Sequence, residues 1–143
     1  MKGVYKMGKV GDGYIVYGDE VETLAYDWGD IKILSSPAVT GAERFTFGMV
    51  VTKPGKGHDF HNHPDADEII FVLSGEAEHI FEGEKPIRVR PGASIYIPQG
   101  VVHSTINVGW EPLRLLIVYA PTGAEKVLRD LPDCTVIPPS EVH

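Results

Sequence analysis

The sequence predicts an all-β fold, closed into a sandwich or barrel. Three observations carry this. The 143 residues include 16 glycines and 11 prolines, and these fall at short intervals along the chain. Between them lie short runs of β-branched and aromatic residues, the rhythm of strands joined by tight turns. Only TGAEKVLRDL, after Pro121, has the pattern of a helix. No repeat, low-complexity tract or linker divides the chain. Its length is that of one compact domain, 1–143, with a core barrel expected over about 30–120.

The elements follow in order. Gly11-Asp12-Gly13 and Gly18-Asp19 read as turns around a short strand, YIVY (14–17). DIKILSS (30–36) is the next strand, closed by Pro37. RFTFGMVVT (44–52) follows, and counting by twos puts Phe45, Phe47 and Met49 on one face, which is expected to be core. EIIFVL (68–73) is apolar at nearly every position, as in strands covered on both faces. EAEHIFE (76–82), IRVR (87–90), SIYIP (94–98), VVHSTINV (101–108) and PLRLLIVYA (112–120) complete the strands. In the helical stretch Thr122 is the expected N-cap, with Glu125 three residues on, and Val127, Leu128 and Leu131 form an apolar side. The tail, PDCTVIPPSEVH, holds Pro132, Pro138 and Pro139 and is expected to run extended against the barrel or a neighbouring subunit. His143 is expected to be disordered.

Composition narrows the function. The hydrophobic fraction of 43% and charged fraction of 23% are ordinary for a soluble protein. A net charge of −7 repels phosphate backbones and argues against nucleic-acid binding. The single cysteine, Cys134, excludes an intrachain disulfide and is expected to be a small, partly buried tail residue. The start of the chain has no apolar run of signal-peptide length. No segment approaches the ~20 apolar residues of a membrane helix. The expected setting is soluble and cytoplasmic.

The chemistry is concentrated in GKGHDFHNHPDADEIIFVLSG, residues 55–75. His61 and His63 alternate with Asn62, so both imidazoles can point inward together. Glu68 shares a strand face with Ile70 and Val72, where a carboxylate is costly unless paired or bound to metal. His103 begins a second inward series with Thr105 and Asn107. Three imidazoles and one carboxylate are thus expected to meet around one divalent ion. Such a mixed donor set suits manganese, iron, cobalt or nickel with open positions, and zinc as well.

The two segments resemble the cupin superfamily. Its first motif, G-x5-H-x-H-x4-E-x6-G, is met by Gly55, His61, His63, Glu68 and Gly75. Its second, G-x5-P-x-G-x2-H-x3-N, is met by Gly92, Pro98, Gly100, His103 and Asn107. The resemblance implies a double-stranded β-helix, the jelly-roll barrel. It implies that His61, His63, Glu68 and His103 are metal ligands, with the glycines and Pro98 as turn residues.

Cupins include dioxygenases, decarboxylases, isomerases and ligand-binding regulatory domains. The expected function is a metal-dependent enzyme acting on a small oxygenated molecule. Dioxygenase or other oxidoreductase chemistry stands ahead of decarboxylation or isomerisation by family analogy. The alternative is a non-catalytic, metal-containing protein that binds or senses a small ligand. His79 and Tyr96 are candidate acid–base partners. His58, Asp59, Asp65 and Asp67 crowd one loop and are expected to be solvated. Arg88 and Arg90 are expected to point outward, and Trp28 and Trp110 to serve ordinary packing. Strands with two apolar faces need a cover, so a homodimer is expected.

Overall fold

The computed structural model describes residues 8–139. A hairpin of β1 (Gly8–Val10) and β2 (Gly13–Ile15) leads through a 3-10 turn, Gly18–Glu20, to the main body. There follow β3 (Thr23–Tyr26), β4 (Gly29–Ser35), β5 (Thr46–Thr52), β6 (Gly57–His61) and β7 (Asp67–Ser74). Then come β8 (Ala77–Phe81), β9 (Ile87–Val89), β10 (Ser94–Ile97), β11 (His103–Asn107) and β12 (Leu113–Ala120). A 3-10 segment, Ala124–Asp130, and β13 (Thr135–Ile137) end the described chain. Two antiparallel sheets enclose the core, one ordered β10-β7-β12-β5-β4-β3-β13 and the other β6-β11-β8-β9. The fold is the expected all-β jelly roll. No helix among the described residues is long and apolar enough to cross a membrane.

Period-two patterning decides what each strand buries. On β7, Glu68, Ile70 and Val72 are 4%, 4% and 0% exposed, whereas Ile69, Phe71 and Leu73 are 43%, 37% and 45% exposed. On β12, Leu113, Leu115, Ile117 and Tyr119 all face the core. Each large apolar side chain so buried contributes about 1.5–3 kcal/mol.

β5 corrects the sequence reading. Its buried face is Thr46, Gly48, Val50 and Thr52; Phe47 and Met49 lie half-buried on the outer face, and Phe45 is exposed. Space explains the choice. A Cβ at Gly48 would stand 2.8 Å from the Lys32 carbonyl oxygen and 3.4 Å from the Ile117 side chain, so this inner face takes small residues.

The helical stretch is a 3-10 segment rather than an α-helix. Gly123, with φ of 120°, stands at its N-cap in place of Thr122, whose hydroxyl donates instead to the Glu43 carbonyl. Glu125 does reach back, accepting from the Gly123 N–H at 2.9 Å and the Thr46 hydroxyl at 2.8 Å. Leu128 is buried and Val127 is exposed, so the two do not share a face. The Tyr26 hydroxyl donates to the Leu128 carbonyl at 2.7 Å and ties the segment to β3. The tail does pack on the barrel, as the edge strand β13 beside β3, and Cys134 is half-buried against the core. His143 lies outside the described residues.

Close approach of strands shapes the end of the barrel opposite the histidines. Gly75 has φ of 95°, and a Cβ there would lie 2.9 Å from the Leu113 Cα, so a side chain would force the turn off β12. Gly57 is tighter still, its Cβ position 2.4 Å from the Thr105 carbonyl oxygen. That contact holds β6 against β11, where His61 stands opposite His103. Gly57→Ala is expected to cost about 3 kcal/mol in urea denaturation. A loss below about 0.5 kcal/mol, the range of neutral surface changes, would show that the two strands can spread freely.

Candidate metal centre

The strand register brings the donors together. His61 ends β6 directly across from His103, the first residue of β11. Glu68, near the start of β7, has Tyr119 of β12 as its cross-strand neighbour. His63 lies in the connection between β6 and β7, and the Gly100 N–H donates to its carbonyl at 3.0 Å. The Gln99 N–H donates to the Asp67 carboxylate at 2.8 Å, and the Gln99 side chain donates to the Pro64 carbonyl at 2.7 Å. The two motif loops are therefore stitched to each other. Asp67, expected to be merely solvated, is one of the stitches. Asn107, fully buried, donates to the Thr52 and Glu111 carbonyls and accepts from the Gly109 N–H, so it braces the far end of β11.

His61, His63, Glu68 and His103 each offer a ligand atom, all within 4.8 Å of one another. His63 Nε2 and His103 Nε2 lie 3.3 and 3.1 Å from Glu68 Oε1. Two ligands on one ion with bonds of about 2.1 Å stand about 3.0 Å apart at a right angle and about 3.4 Å apart at the tetrahedral angle. The observed separations fall between these values. All three atoms are buried, and none has a hydrogen-bond partner in acceptable geometry. Buried polar atoms without partners are costly, and a shared cation would satisfy all three at once. His103 Nδ1 donates to the Val101 carbonyl at 3.1 Å, and His61 Nδ1 lies 2.7 Å from the Asp59 carbonyl. With a carbonyl beside each Nδ1, a proton placed there leaves Nε2 with a free lone pair, the tautomer a ligand needs.

Several residues were not singled out as part of the site from sequence. His58 Nδ1 lies 2.7 Å from His61 Nδ1, and the His58 ring meets Trp28 edge-on at 5.1 Å. His58 is thus packed into the site rather than solvated. Trp28 stacks on Tyr26 and helps line the cavity beside the donors. That cavity is small, about 50 Å³, and its other walls include Ile70, Leu115, Ile117 and Leu128. Tyr119 also lines it, its ring 4.7 Å from that of His63. The alternation Leu113, Leu115, Ile117, Tyr119 carried the signal for this tyrosine. Tyr96, the tyrosine chosen from sequence, is 57% exposed on the outer face of β10, and the structure does not bring it to the donors. The alternation of β10 turns Ile95 and Ile97 inward instead.

His79 is inside, 2% exposed, with its ring stacked on His103 at 5.6 Å. Its Nδ1 lies 2.9 Å from the Thr105 hydroxyl, and its Nε2 is buried without a partner. Arg88 pairs with Glu76 at 2.6 Å on the exposed surface, away from the cavity. Trp110 is 90% exposed and packs little.

Burial dominates the electrostatics. It pushes His61 down to about 3, helped by the neighbouring His58 and His103. It pushes His79 down to about 4, with His103 adding to the effect. Burial works to raise Glu68, but the imidazoles of His103 and His63 outweigh it and hold the carboxyl at about 2. Burial and then the nearby Glu68 push the Tyr119 phenol well above its ordinary range. At neutral pH the site therefore presents neutral His61 and His79, an ionised Glu68 and a protonated phenol.

Residues 48–119, half of the chain, match the family described as Cupin domain. The chain belongs to the cupin superfamily. Among relatives of this cupin is "Polyketide synthase CurC" of Streptomyces cyaneus, 31% identical over 110 residues that make up 76% of this chain and 70% of that one. The dimethylsulfoniopropionate lyase DddQ of Ruegeria pomeroyi is 44% identical over 57 residues, 40% of this chain and 28% of the lyase. In fold, the cupin resembles a predicted oxalate decarboxylase from Thermotoga maritima, with a TM-score of 0.64 and 23% identity, covering 76% of this chain and 99% of that one.

The pKa directions set an acid sensitivity for the metal-free protein. His61 and His79 fall below the ordinary 6.5, so between 6.5 and their lowered values the unfolded chain binds more protons than the folded one. Stability then falls as pH drops through that window. Glu68 acts in the same direction lower down, its contribution lost from the ordinary 4.5 towards about 2. Thermal melts of metal-stripped protein are expected to show Tm falling steadily below pH 6.5. A Tm that stayed flat to pH 4 would contradict the burial of these imidazoles.

Proposed function

We propose that this cupin is a metal-dependent enzyme acting on a small oxygenated organic molecule, with one divalent ion held by His61, His63, Glu68 and His103. One observation carries the reading: His63 Nε2, His103 Nε2 and Glu68 Oε1 converge, buried and without hydrogen-bond partners, beside a largely apolar cavity. A bound ion would supply Lewis-acid polarisation of a substrate oxygen, or oxygen chemistry if it is iron or manganese.

The protein's own residues do the rest. Ile70, Leu115 and Ile117 exclude water from the cavity floor and limit the substrate to a few heavy atoms near the centre. Tyr119 presents a protonated phenol, a hydrogen-bond donor for a substrate oxygen. It takes the role first given to Tyr96. His79 keeps an acid–base role in this reading, acting through the Thr105 hydroxyl, which lines the cavity. The lyase activity of the Ruegeria relative favours non-oxidative chemistry over the dioxygenase reading drawn from sequence. Turnover of a substrate panel with and without oxygen separates the two: equal rates exclude the dioxygenase.

Purified protein loaded with manganese, iron or zinc is expected to hold one ion per chain by elemental analysis. Glu68→Gln and His103→Ala should each weaken binding by more than the ~10–100-fold that loss of an outer-shell partner costs. Failure to bind any of these metals would sink the proposal. Tyr119→Phe is expected to lower kcat by about 100-fold or more, as for a lost acid–base group, with Tyr96→Phe near wild type. Equal effects of the two changes would remove Tyr119 from the reaction.

A second copy of the chain is the proposed cover for the outer face that carries Ile69, Phe71, Leu73 and Tyr96. These side chains are 37–57% exposed and lie on the paired strands β7 and β10. Sedimentation at micromolar concentration is expected to give the mass of two chains, and Phe71→Lys the mass of one. A monomeric wild type would overturn this assembly.

A further inference from the structure

A second cavity lies apart from the histidines. Its volume is about 510 Å³, against about 50 Å³ for the space beside the donors. Small-molecule sites commonly span about 300–1,000 Å³, so this one is large enough for an organic ligand. Its apolar surface comes from Val21, Leu24, Ile33, Pro37, Ala38 and Val39. Leu24 and Val21 belong to the buried core, so this surface is firm rather than a surface crease.

The charges around it do not balance locally. Glu22 is paired with Arg129. Glu125 Oε1 already accepts from Thr46 and the Gly123 N–H. Lys126 lines the rim but is exposed, so water solvates its charge. Glu20 is the exception: its Oε1 is buried and has no hydrogen-bond partner. Glu20 as a whole is half-buried on the cavity wall, so its carboxylate can be reached from the cavity while the buried oxygen still lacks a donor. The group that would satisfy it is a protonated amine, and the surface around it would take an apolar body.

We propose that this cavity binds a small organic ammonium ion, with its amine on Glu20 and its hydrocarbon part against Leu24, Ile33 and Val39. The site is independent of the metal centre. The 3-10 segment Ala124–Asp130 separates the two, giving Leu128 to the metal-side cavity and Glu125, Lys126 and Arg129 to this one.

The test is titration of the full-length protein with n-hexylammonium, hexanol and hexanoate, followed by amide chemical shifts. Hexylammonium is expected to shift the amides of Leu24, Ile33 and Val39 saturably, and to bind about tenfold more tightly than hexanol, the worth of one charge-assisted hydrogen bond. Hexanoate should bind weakest. Glu20→Gln should erase the preference for the amine while leaving hexanol unchanged. Ala38→Trp, at an exposed lining position, should fill the cavity and abolish binding of all three in a protein whose spectrum is otherwise intact. Glu68→Gln should leave binding unaltered. The proposal is overturned if hexanol binds as well as hexylammonium, if Glu20→Gln keeps the preference, if Ala38→Trp leaves binding intact, or if no probe gives saturable shifts at these amides.

Discussion

Three polar atoms with no partner, held 3.1 and 3.3 Å apart in an apolar interior, are the constraint on which the rest of this structure turns. An interior of Ile, Leu and Val does not tolerate such atoms unless the backbone around them is fixed. The means of fixing are visible. Gln99 joins the two loops through Asp67 and Pro64, Gly57 lets β6 lie hard against β11, and Asn107 closes the far end of β11 with three hydrogen bonds. Gln99, Asp67 and Asn107 thus brace the strands and loops that aim His61, His63, Glu68 and His103.

The same arrangement explains the protonation pattern. Burial strips charge from His61 and His79, while Glu68 keeps its charge because His103 and His63 face it. Tyr119 stays protonated because it is buried beside that carboxylate. One carboxylate is thus surrounded by imidazole nitrogens, an arrangement that a divalent cation would complete.

Much of this was legible in the sequence. The ten motif positions are fixed by turn geometry and donor spacing, and the alternation on β7 correctly places Glu68 inward with Ile70 and Val72. Alternation was less informative where both faces carry apolar residues. On β5 the larger side chains, Phe47 and Met49, turned outward because Ile117 and the Lys32 carbonyl already crowd the inner face at Gly48. That is a property of neighbouring strands, invisible from one strand alone. The outward placement of Tyr96 and the inward placement of Tyr119 have a related reason. SIYIP gives its isoleucines to the core, and only the pairing of β12 with β7 reveals that Tyr119 stands beside Glu68. The expected short helix forms as a 3-10 segment; Tyr26, which bonds the Leu128 carbonyl, lies about a hundred residues away in sequence.

The donors arrive along very unequal lengths of chain. His61, His63 and Glu68 sit close together in sequence, but His103 follows only after β8, β9 and β10. A nascent chain therefore offers three donors and no enclosure until β11 docks between β6 and β8. For an ion held by this set, closure of the four-stranded sheet is the moment of commitment. If this set holds an ion as proposed, the one retained would depend on what is present when that sheet closes as well as on relative affinity, so the compartment and timing of folding would enter its metal selectivity.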